Sequence, residues 1–437
     1  MENTALEIVK ELKDKGFESY FAGGTVRDLL LGKAPKDYDI VTSAKPEEIE
    51  DILEHTIPIG KKFGVILAVR NGHNFEVATF RSDAAYSDGR RPDAVYFTDP
   101  KEDALRRDFT INGMFYDPMT KKVLDFVDGQ EDLKNKTLRF IGDSHERIVE
   151  DNLRLLRAIR FKNSLDLEYA PGTLDAIKNN KELIQNVSAE RIQDELTKIL
   201  LGKNPGQALR EMSGAGILQI ILPEAEALKG VKQPELYHKE GDVFEHILMS
   251  LDALPEKPST ELAWAVLLHD IGKPQTYSVS DRIRYNGHAE KGSELVGEIG
   301  KRLKFSNEMA SNLKWLVAHH MMLGDLLKMK KARQAHWIHQ PLFNELLELL
   351  RADALGTKPK DLSLYNELKK LSEEKELLLP SPEILLTGKE IMEEFGIKEG
   401  PEIGEILDKV HHAQMEEHIR TKEEALKFVQ EILEKRP

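Results

Sequence analysis

The sequence predicts an α+β protein, an N-terminal unit of mixed sheet plus helices followed by units built from helices alone. Three observations carry that expectation. Short segments at residues 20–22, 37–40 and 75–81 have the alternation of half-buried strands and all lie in the first 140 residues. From Glu150 onward, apolar residues recur at three- and four-residue spacing, as on helix faces. The chain's 437 residues exceed the ~100–200 of a single domain, so several cores are expected. The divisions are expected at 1–140, 141–232, 233–365 and 366–437.

Composition narrows the function classes. The chain is 40% hydrophobic and 32% charged, the balance of a folded protein. The net charge of −14 argues against a protein that coats nucleic acid by bulk attraction, although a local basic groove remains compatible with it. The longest apolar run, residues 262–268, falls far short of the ~18 needed to span a bilayer, so no membrane role is expected. Residues 1–17 place Leu6, Val9 and Leu12 at helical spacing and lack the pattern of a signal peptide, which points to the cytoplasm. With no cysteine, disulfides, thiolate metal sites and a Cys nucleophile are excluded, and any metal must be held by oxygen or imidazole.

The first chemical block is YFAGGTVRDLLLGKAPKDYDI, residues 20–40, read as a strand, a Gly-Gly turn, a helix from about Val26 that stops at Gly32, and a second strand. Gly23 and Gly24 let backbone approach a triphosphate, with Arg27 in the first helical turn and the helix N-terminus adding N–H groups. Asp37 and Asp39, two apart on a strand, place both carboxylates on one face. Such a pair suits Mg²⁺, which binds a few carboxylates together with substrate phosphates. Glu76 is a third candidate in the strand that follows. Asp108 and Asn112, four apart on an expected helix, share a face that offers acceptors and donors to a ribose. Residues 82–97, polar and holding Gly89 and Pro92, are expected to form a mobile loop.

These blocks, Gly23-Gly24-Thr25-Val26-Arg27-Asp28, Lys36-Asp37-Tyr38-Asp39-Ile40, Thr79-Phe80-Arg81 and Arg106-Arg107-Asp108-Phe109-Thr110-Ile111-Asn112, resemble those of the class II tRNA nucleotidyltransferase and bacterial poly(A) polymerase family. That family lies within the polymerase-β-like nucleotidyltransferases. The resemblance implies a nucleotidyltransferase head at 1–140 in which Asp37 and Asp39 hold the metals and Glu76 is the third carboxylate. It further implies that Arg107 and Asp108 contact the incoming nucleotide. The loop at 82–97 resembles the family's flexible loop, typically missing from enzymes that add only the two cytidines. Its presence implies an enzyme that adds full CCA or the terminal A.

Residues 150–162, EDNLRLLRAIRFK, read as one helix with Leu153, Leu156 and Phe161 near one stripe and Arg154, Arg157 and Arg160 on another. Asp151 and Arg154, one turn apart with Glu150 beside them, suit a protein template for a base. A carboxylate accepts from the exocyclic amine shared by cytosine and adenine, and a guanidinium donates to a ring nitrogen or carbonyl. The resemblance implies this role for Glu150, Asp151 and Arg154 within a neck and body at 141–232. It also marks Asp125-Phe126-Val127-Asp128-Gly129 as a hinge.

Most of the 14 histidines lie from residue 238 onward. His246, His269-Asp270 at the end of the apolar helix, His288, His319-His320 and Asp353 imply a second metal site, with Gly272 and Pro274 ending the helix so that His269 and Asp270 face a cleft. The set resembles the HD superfamily of metal-dependent phosphohydrolases. That resemblance implies His246, His269, Asp270 and Asp353 as ligands of a divalent metal, with His288, His319 and His320 as second-metal or phosphate contacts. Residues 386–434 resemble the tail of HD-containing tRNA nucleotidyltransferases, where Gly388-Lys389 and Gly404 are candidate phosphate contacts and helix caps are the plainer reading.

The expected activity is addition of CCA, or its terminal A, to tRNA 3′ ends from CTP and ATP, with a phosphohydrolase centre besides. Poly(A) polymerase is the nearest alternative, weakened by the acidic chain and its intact HD set. A hydrolase with a degenerate head conflicts with the completeness of Asp37, Asp39, Arg107 and Asp108. A non-catalytic RNA-binding module leaves both clusters unexplained.

Overall fold

A computed structural model describes residues 1–84, 89, 94–234, 239, 241–374, 384–398, 400–415 and 418–434. Two compact units are formed, Met1–Lys229 with Ile299–Phe305, and Gly230–Glu298 with Ser306–Pro437.

The first unit opens with the helix Glu2–Asp14 and a seven-stranded sheet. In chain order its strands are β1 (Ser19–Ala22), β2 (Ile40–Thr42), β3 (Thr56–Gly60), β4 (Val65–Arg70), β5 (His73–Thr79), β8 (Phe115–Asp117) and β9 (Lys122–Leu124), with a hairpin of β6 (Arg81–Asp83) and β7 (Val95–Phe97) set apart. The spatial order is β3-β4-β5-β2-β1-β8-β9, and β2 with β5 is its parallel pair. The expected mixed sheet is therefore present. Alternation builds it: Phe75, Val77 and Thr79 of β5 are buried, whereas Asn74 and Glu76, alternating with them, face out. Phe80 and Phe115 are buried with Tyr20, Ala22 and Val41 on one face of the sheet and Phe21, Ile40 and Phe75 on the other, each stabilising by roughly 1.5–3 kcal/mol on full burial.

Local expectations need four corrections. The helix after the Gly-Gly turn begins at Gly24, not near Val26, and ends at Leu30 before Gly32 with φ +69. Asp37, Tyr38 and Asp39 precede β2 instead of lying in it, although Asp39 still offers its carbonyl to Ala22 N at 3.0 Å. The block from Arg106 to Asn112 is no α-helix but a turn, a bridge at Phe109 and one 3-10 turn, Thr110–Asn112. The expected single helix at 150–162 is broken into Ser144–Glu150 and Arg154–Ser164, with extended backbone at Asp151. The expected mobile loop at 82–97 begins and ends in β6 and β7, and its residues 85–88 and 90–93 lie outside the described residues.

The block at 125–129 is tied down. Asp125 Oδ1 accepts from Val127 N and Gly129 N at 3.1 and 3.0 Å, and Oδ2 accepts from Gln130 N at 2.8 Å. A Cβ on Gly129 would lie 2.3 Å from the Thr110 carbonyl, so this segment is fastened to the 3-10 turn that carries Asn112.

The second unit is largely helical. The helix Thr260–Leu268 is buried from Leu262 to Leu268, with Trp264 wholly enclosed. Towards the C-terminus, helices Gly388–Phe395, Pro401–Met415 and Lys422–Glu434 bury Leu386, Ile391, Ile406, Val410, Ala425 and Val429 among themselves. Thr387 and Glu390 form a capping box there, and Gly396 at φ +65 ends the first helix. Gly388 serves packing, because its Cβ would stand 3.1 Å from Ile403, and Gly404 lies inside the opening turn of the next helix. Among the described residues, no helix is long and apolar enough to cross a membrane.

Candidate active sites

The first site is a cleft of about 400 Å³ in the first unit. Its walls include Gly23, Gly24, Arg27, Asp39, Arg107, Asp108, Asn112, Asp151, Arg154 and Arg157, residues drawn from four separate stretches of sequence. Asp37, Glu76 and Glu150 are not among those walls. Gly23 has φ +64, and a Cβ there would come within 3.3 Å of Arg107 Nη1 and 3.6 Å of Asp39 Oδ2. Only glycine meets both constraints at little cost.

Thr25 pins the acidic segment, which sequence reasoning missed. Its hydroxyl accepts from Asp39 N at 3.0 Å and donates to the Asp37 carbonyl at 3.1 Å. Tyr38 is buried between exposed Asp37 and Asp39, so the two carboxylates do share a side. The parallel register Ile40 to Val77, extended one residue back, sets Asp39 beside Glu76. The Asp39 carboxyl is pushed up to about 6 by loss of water and then by Glu76 and Asp37, with Arg107 and Arg27 opposing. A carboxylate raised by two acidic neighbours belongs to a donor set suited to a hard divalent cation.

Facing them are cations held in place by buried acids. Asp103, fully buried, receives Arg106 Nη2 at 2.6 Å and Arg107 Nη2 at 3.0 Å. Its i,i+3 and i,i+4 spacing from the two arginines was the signal available in the sequence. Arg27 Nη1 donates to Asn112 Oδ1 at 2.9 Å, and Asn112 Nδ2 donates to Asp108 Oδ1 at 3.3 Å. Asp108 and Asn112 thus meet as expected, through a turn instead of a helix. Burial opposes ionisation of Asp108, but Arg157, with Nε 2.9 Å from Oδ2, holds its carboxyl down to about 2.

The arginines at 154, 157 and 160 form no solvated face. Arg154 is 7% exposed and donates to Glu150 Oε2 at 2.7 Å and to the Arg147 carbonyl at 2.8 Å. Arg157 pairs with Asp108, and Arg160 with buried Glu195. Because the helix breaks, Asp151 does not stack under Arg154 by helical spacing. It receives Arg191 Nη2 at 2.8 Å, a partner 40 residues away that the sequence did not disclose.

The second site lies in the second unit. His246 Nε2 is 2.9 Å from Asp353 Oδ1, and His269 Nε2 is 3.8 Å from the same oxygen. Asp270 Oδ1 lies 3.5 Å from His288 Nε2 and 3.9 Å from His320 Nε2, which are 3.1 Å from each other. Asp270 Oδ2 lies 3.5 Å from His269 Nε2 and 3.9 Å from His246 Nε2, so the expected residues His246, His269, Asp270 and Asp353 do converge, and Asp270 Oδ1 with His288 and His320 makes an adjoining group. His319 departs from expectation: its ring packs, tilted, against Trp315 at 4.7 Å and Trp337 at 5.2 Å.

Close packing creates this convergence. A Cβ on Gly356 would lie 2.0 Å from Ser250 Oγ and 3.0 Å from the His246 carbonyl, where the helices Val243–Asp252 and Phe343–Gly356 cross. A Cβ on Gly272 would lie 2.1 Å from the His288 carbonyl, so this glycine admits the His288 helix to the His269-Asp270 turn. The glycine serves close approach, since its φ of −77 is open to any residue.

The donor set fits metal. Nδ1 of His269, His288 and His320 lies 3.0, 2.8 and 2.7 Å from the carbonyls of Val266, Tyr285 and Val317, so each ring points Nε2 inward. Nε2 of His269 is buried without a hydrogen-bond partner. Burial pushes His269 down and His320 down to about 4, which favours neutral rings; burial opposes ionisation of Asp270 too, but Lys273, with Nζ 2.5 Å from Oδ2, holds its carboxyl well below the usual carboxylate range. Neutral imidazoles beside ionised carboxylates are the ligand forms.

Known families account for both sites. Residues 19–139 match the family described as "Poly A polymerase head domain", residues 166–229 match "Probable RNA and SrmB- binding site of polymerase A", and residues 241–356 match "HD domain". Fold and sequence together define a template-independent RNA nucleotidyltransferase that also carries an HD domain, and both domains imply use of divalent metal.

The CCA-adding enzyme of Enterococcus faecalis is 34% identical, over 97% of this chain and 94% of its own. That of Ligilactobacillus salivarius is 32% identical, over 93% and 90%. The crystal structure of the Bacillus stearothermophilus CCA-adding enzyme in complex with CTP superposes with a TM-score of 0.67 at 25% identity, covering 98% of this chain and 97% of that one. The Thermotoga maritima CCA-adding enzyme complexed with tRNA shares the fold, with a TM-score of 0.56 at 22% identity, over 99% and 95%. The chain belongs to the CCA-adding enzyme family.

Proposed function

We propose that this protein builds the 3′-terminal CCA of tRNA from CTP and ATP. The observation that carries the reading is the single cleft in which Asp39 stands opposite Arg27, Arg107, Arg154 and Arg157, with Asp108, Asn112 and Asp151 along its wall. Residues 1–140 act as the catalytic head, 141–232 as neck and body, 233–365 as the HD domain and 366–437 as a tRNA-binding tail. The work is done in the cytoplasm.

Asp37, Asp39 and Glu76 would hold Mg²⁺, which would supply activation of the tRNA 3′-hydroxyl and charge stabilisation for the leaving pyrophosphate. That hydroxyl forms a bond to the α-phosphorus, the bond to the β-phosphate oxygen breaks, and the hydroxyl proton passes to solvent. Gly23, Gly24 and Arg27 cradle the triphosphate, and Arg107 adds a cation beside it. Asp108 and Asn112 address the ribose. Asp151 accepts from the exocyclic amine common to cytosine and adenine, and Arg154, steadied by Glu150, donates to the ring. Uracil and guanine leave one of these partners unpaired, which is the expensive outcome in a closed site.

The test is incubation with Mg²⁺, each labelled nucleotide, and tRNA ending before CCA, after CC, or complete. Addition of C, C and A followed by arrest is expected. Addition of A to CC ends alone defines an A-adding enzyme, and long A tails define a poly(A) polymerase. Asp37→Ala and Asp39→Ala should each abolish addition, and persistence in either refutes the assignment. The convergence of His246, His269, Asp270 and Asp353 supports a second, phosphohydrolase activity with a divalent metal on these four residues.

A further inference from the structure

Beside the histidine–aspartate centre lies a cavity of about 990 Å³, whose walls include Lys232, Gln233, Pro234, Lys239, Arg282 and Ile283. In a chain of net charge −14 its described wall residues include three cations, Lys232, Lys239 and Arg282. Among the described residues of the wall the carboxylate is Asp242, whose oxygens accept from Gly230 N at 2.5 Å and Glu245 N at 2.9 Å.

A residue of the cavity wall also carries an unmet donor. Gln233 is 5% exposed, and its Oε1 accepts from Lys273 Nζ at 3.0 Å. An ammonium can only donate, so this contact fixes which end of the amide faces Lys273. Nε2 is left buried without a hydrogen-bond partner. A ligand oxygen would remove the cost of that unmade bond.

Two connections join the cavity to the metal-binding cluster. Lys273 Nζ, which donates to Gln233, also lies 2.5 Å from Asp270 Oδ2. The Tyr285 hydroxyl donates to the Lys232 carbonyl, the Tyr285 ring lies 5.3 Å from Lys273 Nζ, and the Tyr285 carbonyl is 2.8 Å from His288 Nδ1. Cations, a buried amide donor and continuity with a phosphoester-cleaving centre describe an anion subsite. Its volume is near the upper end of the ~300–1,000 Å³ of small-molecule pockets, far more than a lone phosphate fills. Pro234 and Ile283 give it an apolar wall for a sugar or base.

We infer that Gln233, Lys232, Lys239 and Arg282 bind a second phosphate of the substrate, so that the HD centre prefers short nucleotides bearing two phosphates over simple monoesters. The inference rests on the phosphohydrolase reading above. The full-length chain supplied with Mn²⁺ is assayed on adenosine 3′,5′-bisphosphate and on p-nitrophenyl phosphate. The variants are Lys232→Ala with Arg282→Ala, and Gln233→Glu, which keeps an acceptor for Lys273 but replaces the donor with a carboxylate oxygen. KM for the bisphosphate should rise at least about tenfold with kcat within about twofold, while both constants for p-nitrophenyl phosphate hold. Equal losses on the two substrates, or no change for the bisphosphate, overturn the inference. Unchanged turnover of p-nitrophenyl phosphate reports that the second unit of the variants folds.

Equilibrium dialysis of labelled adenosine 3′,5′-bisphosphate separates the two readings. If the parent chain hydrolyses neither substrate, the hydrolase reading fails alone. The subsite then stands on tighter binding by the parent than by the Lys232→Ala, Arg282→Ala chain, and equal binding refutes it.

Discussion

Asp39 and Asp108 show how the same side chain is driven in opposite directions within one cleft. Asp39 loses water among other carboxylates and is pushed up to about 6, whereas Asp108 is held down to about 2 by Arg157. A raised carboxyl favours folding fully only below its unfolded value, near 4, and that contribution is lost as pH rises through about 6. Metal binding must displace the same proton. At limiting Mg²⁺, addition should therefore fall as pH drops through about 6, and Glu76→Gln should move that inflection lower because Glu76 is a cause of the rise. A pH–rate series on the two proteins measures it, and coincident profiles refute the coupling. For Asp108 the sign reverses: its stabilisation is present above about pH 4 and is lost as pH falls towards about 2. Asp108→Ala should cost about 2 kcal/mol in urea unfolding, less than the ~3–5 of a fully buried pair because the Arg157 side chain is 32% exposed.

At the scale of elements, breaks and crossings matter more than the helices themselves. The interruption between Glu150 and Arg154 frees Asp151 from helical register, and Arg191 then fixes its carboxylate. Arg191→Ala should lower the preference for C and A over U and G by roughly tenfold while sparing Asp37 and Asp39, as measured by competition between labelled nucleotides. The Glu150–Lys162 segment was legible as helical from its apolar stripe, but periodicity does not report a break of three residues whose side chains are satisfied elsewhere. Gly272 and Gly356 were likewise visible as letters and not as crossings. Gly356→Ala should destabilise the second unit by ~1–3 kcal/mol by calorimetry, since its Cβ would meet Ser250 Oγ at 2.0 Å. It should also weaken metal retention, because His246 and Asp353 flank that crossing.

For the whole molecule, the transferase cleft and the histidine–aspartate centre belong to different units. His269→Ala should therefore leave nucleotide addition unchanged while abolishing phosphohydrolase turnover, and chelation of divalent metal should stop both, as read by parallel assays on one preparation. The sequence by itself determined the carboxylate pair, the glycine turn, the arginine-rich block, the histidine set and the mixed-sheet head with helical units behind it. Those features are local, since side-chain type, spacing of two or of three and four, and glycine at turns are all expressed along the chain. Only the tertiary structure decided that Arg157 belongs to Asp108, that Arg191 holds Asp151, that the histidines divide into two groups, and that His319 turns away to Trp315 and Trp337. These are contacts between distant segments, set by which buried charge finds a partner and by how closely two backbones can approach.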